Sequence, residues 1–265
     1  MNPAKNWIDM MNEMDLIITA SEFNKRIFST NGANIPIEVI PHTFDPKLFN
    51  KDVQHKGRYD LFTFLSMGSW KQRKNFEALI KGFYDAFEAK DGVCLLIKTD
   101  KPESLSETVQ RIKRTGEWRS KETAPIFADI SKKCPFEDIP SIMKKGDVYV
   151  SPSLGEGFNL VGLHAMALGI PILVTRFGGT LEYAKPEFST YIEPTHYKTY
   201  PTMDGIPQFR NCIWPVIKIR EIRDKLRYAK ENYHHLREKS LLGYKFVHDK
   251  FAYSTIGNKF LEVLE

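Results

Sequence analysis

Short apolar runs recur along the chain, and each is followed by a stretch with apolar residues at helical spacing. Residues 16–20 read as a strand, and Ser21-Glu22 opens a helix to about Thr30. Residues 37–40 form a second strand, stopped at Pro41. The run 61–67 is a third, followed by Gly68-Ser69 and a helix from about Asn75. In that helix Phe76, Leu79, Ile80, Phe83 and Phe87 fall on one face. Strands are then predicted at 93–97, 126–128, 148–151, 172–175 and 191–192, with helices at 104–114, 139–145 and 160–168 between them. Gly169 and Pro171 supply the stop chemistry for the helix 160–168. Residues 196–211 read as a loop, and helices at 219–232, 234–250 and 255–264 complete the chain. Strands alternating with helices predict an α/β fold, a parallel sheet covered by helices on both faces.

Composition narrows the function classes. The 265 residues are 42% hydrophobic and 12% aromatic, too apolar for a disordered chain. The longest apolar runs, such as 93–97 and 170–174, are strand-length and far short of a membrane span. The start, Met1-Asn2-Pro3, leads into a polar stretch with acidic residues, so no secretory leader is expected. Cys94, Cys134 and Cys212 are widely spaced with no Cys-x-x-Cys, which predicts reduced thiols in a cytoplasmic protein and neither a disulfide set nor a zinc site. Lysine and arginine number 38 against 33 acids, a net charge of +5. The two signs are interleaved, so a solvated surface is favoured over nucleic-acid binding.

In open parallel sheets ligands gather outside the carboxyl ends of the strands, so the loops there carry the candidate chemistry. The first runs from Gly68 and Ser69 through Trp70, Lys71, Gln72, Arg73 and Lys74 to Asn75. Three cations before a helix make either an anion site or an exposed basic turn. The second is Ser151-Pro152-Ser153-Leu154-Gly155-Glu156-Gly157-Phe158-Asn159-Leu160. Its glutamate lies between two glycines, where backbone can approach a ligand; the plain alternative is an acid near a helix start. The third is Phe177-Gly178-Gly179-Thr180-Leu181-Glu182, a turn whose glutamate could equally be a capping residue.

Together, these loops resemble glycosyltransferase family 4. The matching segments are the basic turn, Asp147–Ser153, Glu156–Leu160, Ala165-Met166-Ala167-Leu168-Gly169-Ile170-Pro171, and Gly178-Gly179 with Glu182. Ser21-Glu22-Phe23 and the segment from Ile40 to Asp45 fit as well, so the resemblance covers about residues 15–264. It implies a retaining, nucleotide-sugar-dependent enzyme of the GT-B fold, whose two Rossmann-like domains face a cleft. It also implies that Arg73 and Lys74 meet the donor diphosphate, and that Glu156 is the first glutamate of an E-x7-E motif at the donor sugar. Gly68, Ser69, Gly157, Phe158, Asn159, Leu160 and Glu182 join the donor-binding set. Cationic and amide donors would stabilise the leaving diphosphate, so neither cofactor nor metal is expected, and no Asp-x-Asp stands at a strand end. Two positions depart from the pattern. His164 stands where the second glutamate would grip ribose; it is either a single hydrogen-bond partner or a packed helix residue. Ser69 stands where an arginine is common, so Lys71 or Arg73 would have to replace it.

The resemblance divides the chain into 1–45, a remnant of the N-terminal domain and linker; 46–245, the nucleotide-sugar-binding domain; and 246–265, the crossing helix. More than roughly a hundred residues of an N-terminal half are expected to be missing. Trp7, Met10, Met11, Met14, Phe251, Ile256, Phe260 and Leu261 would then be exposed or cover one another, favouring a partner chain or second copy that completes the cleft. The expected function is transfer of a sugar from a nucleotide-diphosphate donor to an unidentified acceptor. A lipid acceptor would bring the chain to a membrane surface. The alternative is a non-catalytic nucleotide-sugar-binding module or truncated pseudoenzyme. The motif set argues against a GT-B-like phosphorylase or epimerase.

Overall fold

The computed structural model describes residues 3, 5–55, 57, 59–115, 118, 122–129 and 134–264. The chain opens with α1 (Lys5–Met11), β1 (Ile17–Thr19), α2 (Glu22–Thr30) and β2 (Ile37–Val39). β1 and β2 pair in parallel as a separate two-stranded sheet. Ser21 caps α2, its hydroxyl oxygen accepting from the Asn24 amide at 3.2 Å.

The main sheet is built from β3 (Phe62–Met67), β4 (Val93–Lys98), β5 (Ile126–Asp129), β6 (Val148–Ser151), β7 (Ile172–Thr175) and β8 (Thr190–Ile192). Its order is β5-β4-β3-β6-β7-β8, with every pairing parallel. The chain therefore leaves β3 in one direction and returns to its other edge with β6. The junction of β3 and β6 is the topological switch point, where the following loops diverge and leave a crevice.

Neighbouring residues of a strand face opposite ways, and here both ways are buried. Phe64, Leu95 and Val150 join a core with Leu79, Ile80 and Phe83 of α3 (Phe76–Ala86) and Ile222 and Leu226 of α7 (Ile219–Glu231). Leu65, Leu96 and Tyr149 face the other core, with Leu163 and Met166 of α6 (Leu160–Ala167) and Val247 of α8 (Tyr233–Phe251). Burial on both faces explains the continuous apolar runs in the sequence. All five apolar positions predicted for the α3 face are buried.

Two expectations need correction. The predicted loop 196–211 contains a strand, β9 (His196–Tyr200), paired antiparallel with β10 (Cys212–Val216). Its five residues are almost wholly exposed, so no apolar alternation marks it; hydrogen bonds to β10 fix it instead. The set of apolar residues expected at the surface also divides. Met10 and Met14 on the α1 side are exposed, as are Phe260 and Leu261 of α9 (Tyr253–Leu264). Phe251 and Ile256 are buried, Phe251 within the core of the main domain. Helix α8 runs unbroken through residues 245 and 246. No helix among the described residues is long and apolar enough to cross a membrane.

Candidate functional site

At the switch point, the loop after β3 meets the loop after β6. The predicted helix start at Asn75 resolves into two pieces: a 3-10 turn over Gln72–Lys74, then a left-handed residue, Asn75, before α3. The cations thus stand one turn ahead of the helix. The Leu154 amide and the Ser153 hydroxyl both donate to the Arg73 carbonyl, at 2.7 and 3.0 Å, and Asn75 Nδ2 donates to the Pro152 carbonyl at 3.2 Å. These bonds lock the two loops together.

Glu156 bridges two cations. Lys74 Nζ lies 2.5 Å from its Oε1, and an Arg73 terminal nitrogen lies 2.8 Å from its Oε2. Its side chain is only 9% exposed. Burial acts to push the carboxyl upward, but the Lys74 and Arg73 charges overcome that and hold it below the usual glutamate range. Glu156 is therefore ionised at neutral pH and is a hydrogen-bond acceptor, not a proton store. Gly68 makes room for this arrangement. It has φ +155°, and a Cβ there would stand 3.2 Å from Lys74 Cε.

A second carboxylate, Asp204, completes the cluster and was not foreseen. It sits in the turn between β9 and β10 with φ 58° and a side chain 2% exposed. It accepts from the Arg73 amide at 3.0 Å and lies 3.1 Å from Arg73 Nε. Arg73 is thus held between two acids, Lys74 by one. The only sequence signal was Asp204-Gly205, a turn pair inside what read as loop.

The remaining predicted residues separate. Ser69 and Lys71 are exposed, so the cation beside Lys74 is Arg73 and not Lys71. Phe158 is buried with its ring edge-on to His42, leaving its backbone for any ligand. Asn159 is the left-handed residue before α6; its Nδ2 is 3.5 Å from Ser151 Oγ, and its buried Oδ1 has no hydrogen-bond partner among the described residues. Leu160 is exposed in the first turn of α6. His164 is 5% exposed and stacks on Phe49 at 4.0 Å, and burial lowers it to about 4, so it is neutral at physiological pH. Glu182 meets α2, its Oε1 accepting from the Glu22 amide at 2.6 Å. Asp100, in the loop after β4, reaches the basic turn and accepts from the Trp70 amide at 2.6 Å.

The glycine pair has a steric purpose. The Gly179 amide donates to the Glu156 carbonyl at 2.9 Å. A Cβ on Gly178 would approach the Glu156 carbonyl oxygen to 2.7 Å, and one on Gly179 would approach that of Gly157 to 1.8 Å. Only glycines let these backbones meet. Ser21 ties the N-terminal segment to the same point, its hydroxyl donating to the Gly157 carbonyl at 2.8 Å.

The parallel sheet with helices on both faces matches part of the fold of GT-B glycosyltransferase structures. A crystal structure of Anabaena HepE in complex with UDP and glucose superposes with a TM-score of 0.75 at 16% identity, covering 98% of this chain and 66% of that one. The glycosyl transferases group 1 family matches residues 61–196, half of the chain, and the chain belongs to that family. Uncharacterized protein 356 of Sulfolobus islandicus rod-shaped virus 1 is 23% identical over 268 residues, covering 99% of this chain and 72% of that one. Over 55 residues the chain is 42% identical to the UDP-Gal:alpha-D-GlcNAc-diphosphoundecaprenol alpha-1,3-galactosyltransferase of Escherichia coli, covering 21% of this chain and 14% of that one. The chain thus spans just under two thirds of the HepE chain and a small part of the galactosyltransferase.

Proposed function

We propose that this chain is the donor-binding half of a retaining, metal-independent glycosyltransferase of family 4, using a nucleotide-diphosphate sugar. The observation that carries this reading is the Lys74–Glu156–Arg73 cluster at the switch point, beside the first turn of α6. An ionised Glu156 can accept hydrogen bonds from donor sugar hydroxyls, while Lys74 and Arg73 stabilise charge on the departing diphosphate. In the transfer, the bond from the anomeric carbon to the diphosphate oxygen breaks and the bond to the acceptor oxygen forms. The acceptor's hydroxyl proton leaves with the diphosphate. The UDP and glucose of the HepE complex support a nucleotide-sugar donor.

A partner chain or second copy completes the cleft in this reading. Exposed Met10, Met14 and Ile18 support it, as does a β1–β2 sheet of two strands, too small to be stable alone. Reduced cysteines support a cytoplasmic setting. One observation favours the second reading, a nucleotide-sugar-binding module without turnover: position 164 holds a neutral histidine packed on Phe49 instead of a second carboxylate.

Calorimetric titration with UDP, GDP and ADP, each with and without its common sugar, tests the donor site. Base-selective binding that Lys74→Ala weakens supports it; a folded protein that binds none of them overturns it. Turnover of the bound nucleotide sugar, abolished by Glu156→Ala, separates the enzyme from the binding module.

A further inference from the structure

Beside the charged cluster lies a cavity of about 290 Å³, open to solvent, between the N-terminal segment and the β9–β10 hairpin. Its walls are aromatic: Trp7, Phe23 and Phe28 on one side, Phe209 and Trp214 on the other. Arg73 and Glu156 stand at its rim, with the backbone of Gly155 and Gly157. A cavity of about 150 Å³ lined by apolar residues is enough to hold benzene. This one has room for one to two rings. The wall of Phe209 and Trp214 is pinned to the cluster by Asp204 on Arg73.

We propose that this cavity is the acceptor site, and that it takes a hydroxyl-bearing acceptor with an apolar body one to two rings in size, its hydroxyl turned toward Glu156. The inference rests on the transferase reading and adds the class of acceptor. The physical reason is the contrast between the two ends. Aromatic walls gain from burying an apolar body and gain little from a free sugar, whose hydroxyls would lose water without partners. The charged rim can pair only with the polar end of the ligand, so the ligand enters in one orientation.

Trp7 and Trp214 make the test direct. The full chain is titrated with 4-nitrophenyl glucoside, whose nitrophenyl ring quenches tryptophan fluorescence, and with glucose as competitor. The expected result is saturable quenching, with the aryl glucoside binding at least tenfold tighter than glucose. Phe28→Ser, at a partly buried position, should weaken it roughly tenfold, and Ile27→Trp, which narrows the cavity, should weaken it as well. Circular dichroism checks that each variant is folded. Equal affinity for the aryl glucoside and glucose, or quenching untouched in both folded variants, overturns the proposal. Binding of UDP, GDP and ADP is followed on the same samples by calorimetry. Nucleotide binding without quenching overturns the acceptor site alone. Quenching without nucleotide binding overturns the transferase reading, and the acceptor role falls with it.

Discussion

Glu156 and Glu182 look alike in the sequence. Each lies near glycines in a turn that follows a parallel strand and leads toward helical structure. In the fold they part. Glu156 is buried against Lys74 and Arg73, and its charge is held there. Glu182 is partly exposed and caps the start of α2 through the Glu22 amide. The difference comes from topology. The strand before Glu156 is β6, next to β3 and its basic turn. The strand before Glu182 is β7, one place further out, where the N-terminal segment covers the loop. Glycines also serve differently in the two loops. Gly178 and Gly179 exist so that the Glu156 loop can press against them.

The sharpest way to break this contrast is to separate the loops. Gly179→Ala places a Cβ 1.8 Å from the Gly157 carbonyl oxygen. It should cost more than ~4 kcal/mol, read as a lower urea midpoint, and disturb the Glu156 cluster with it. A stable variant with unchanged nucleotide binding would mean the two loops are not in backbone contact. Removing the acid comes next. Glu156→Ala leaves Arg73 on Asp204 but takes the acid from Lys74, and should cost about 3 kcal/mol while abolishing the proposed transfer.

His164 sharpens the comparison from the far side of α6. Its pKa is about 4 in the folded chain against an ordinary 6.5. Between those values the unfolded chain binds more protons, so stability should fall as pH drops from 6.5 to 4. The loss should be about 3 kcal/mol, and largely absent in His164→Gln. An unchanged slope in that variant would place the titration elsewhere. The smallest effect belongs to Glu182→Ala, about 1 kcal/mol from the lost cap on α2. A loss of donor affinity as large as that of Lys74→Ala would erase the contrast and put Glu182 in the donor site.

Much of the frame was legible. The strands of the main sheet, the α3 face and the loops that carry chemistry follow from apolar runs and glycine turns, because burial on both faces leaves a continuous apolar signature. The hairpin was hidden, since β9 is exposed and polar (His196, Lys198 and Thr199 among its five residues) and Pro215 interrupts β10. Asp204 was hidden with it. The resemblance put Glu156, Arg73 and Lys74 at one donor site, but their direct ion pairing was out of reach. About eighty residues separate them, and no local rule relates a basic turn to an acid that far along the chain.

The sequence by itself determined the alternation of strands and helices, the positions needing glycine, and the family resemblance, since each depends on local spacing and side-chain type. Only the tertiary structure decided the strand order, and with it which loops meet. It made Glu156 an ion-paired acid and Glu182 a cap, buried His164 on Phe49, and brought an unforeseen hairpin against Arg73. Charge, burial and proximity are properties of neighbours in space, and the sheet topology chooses those neighbours.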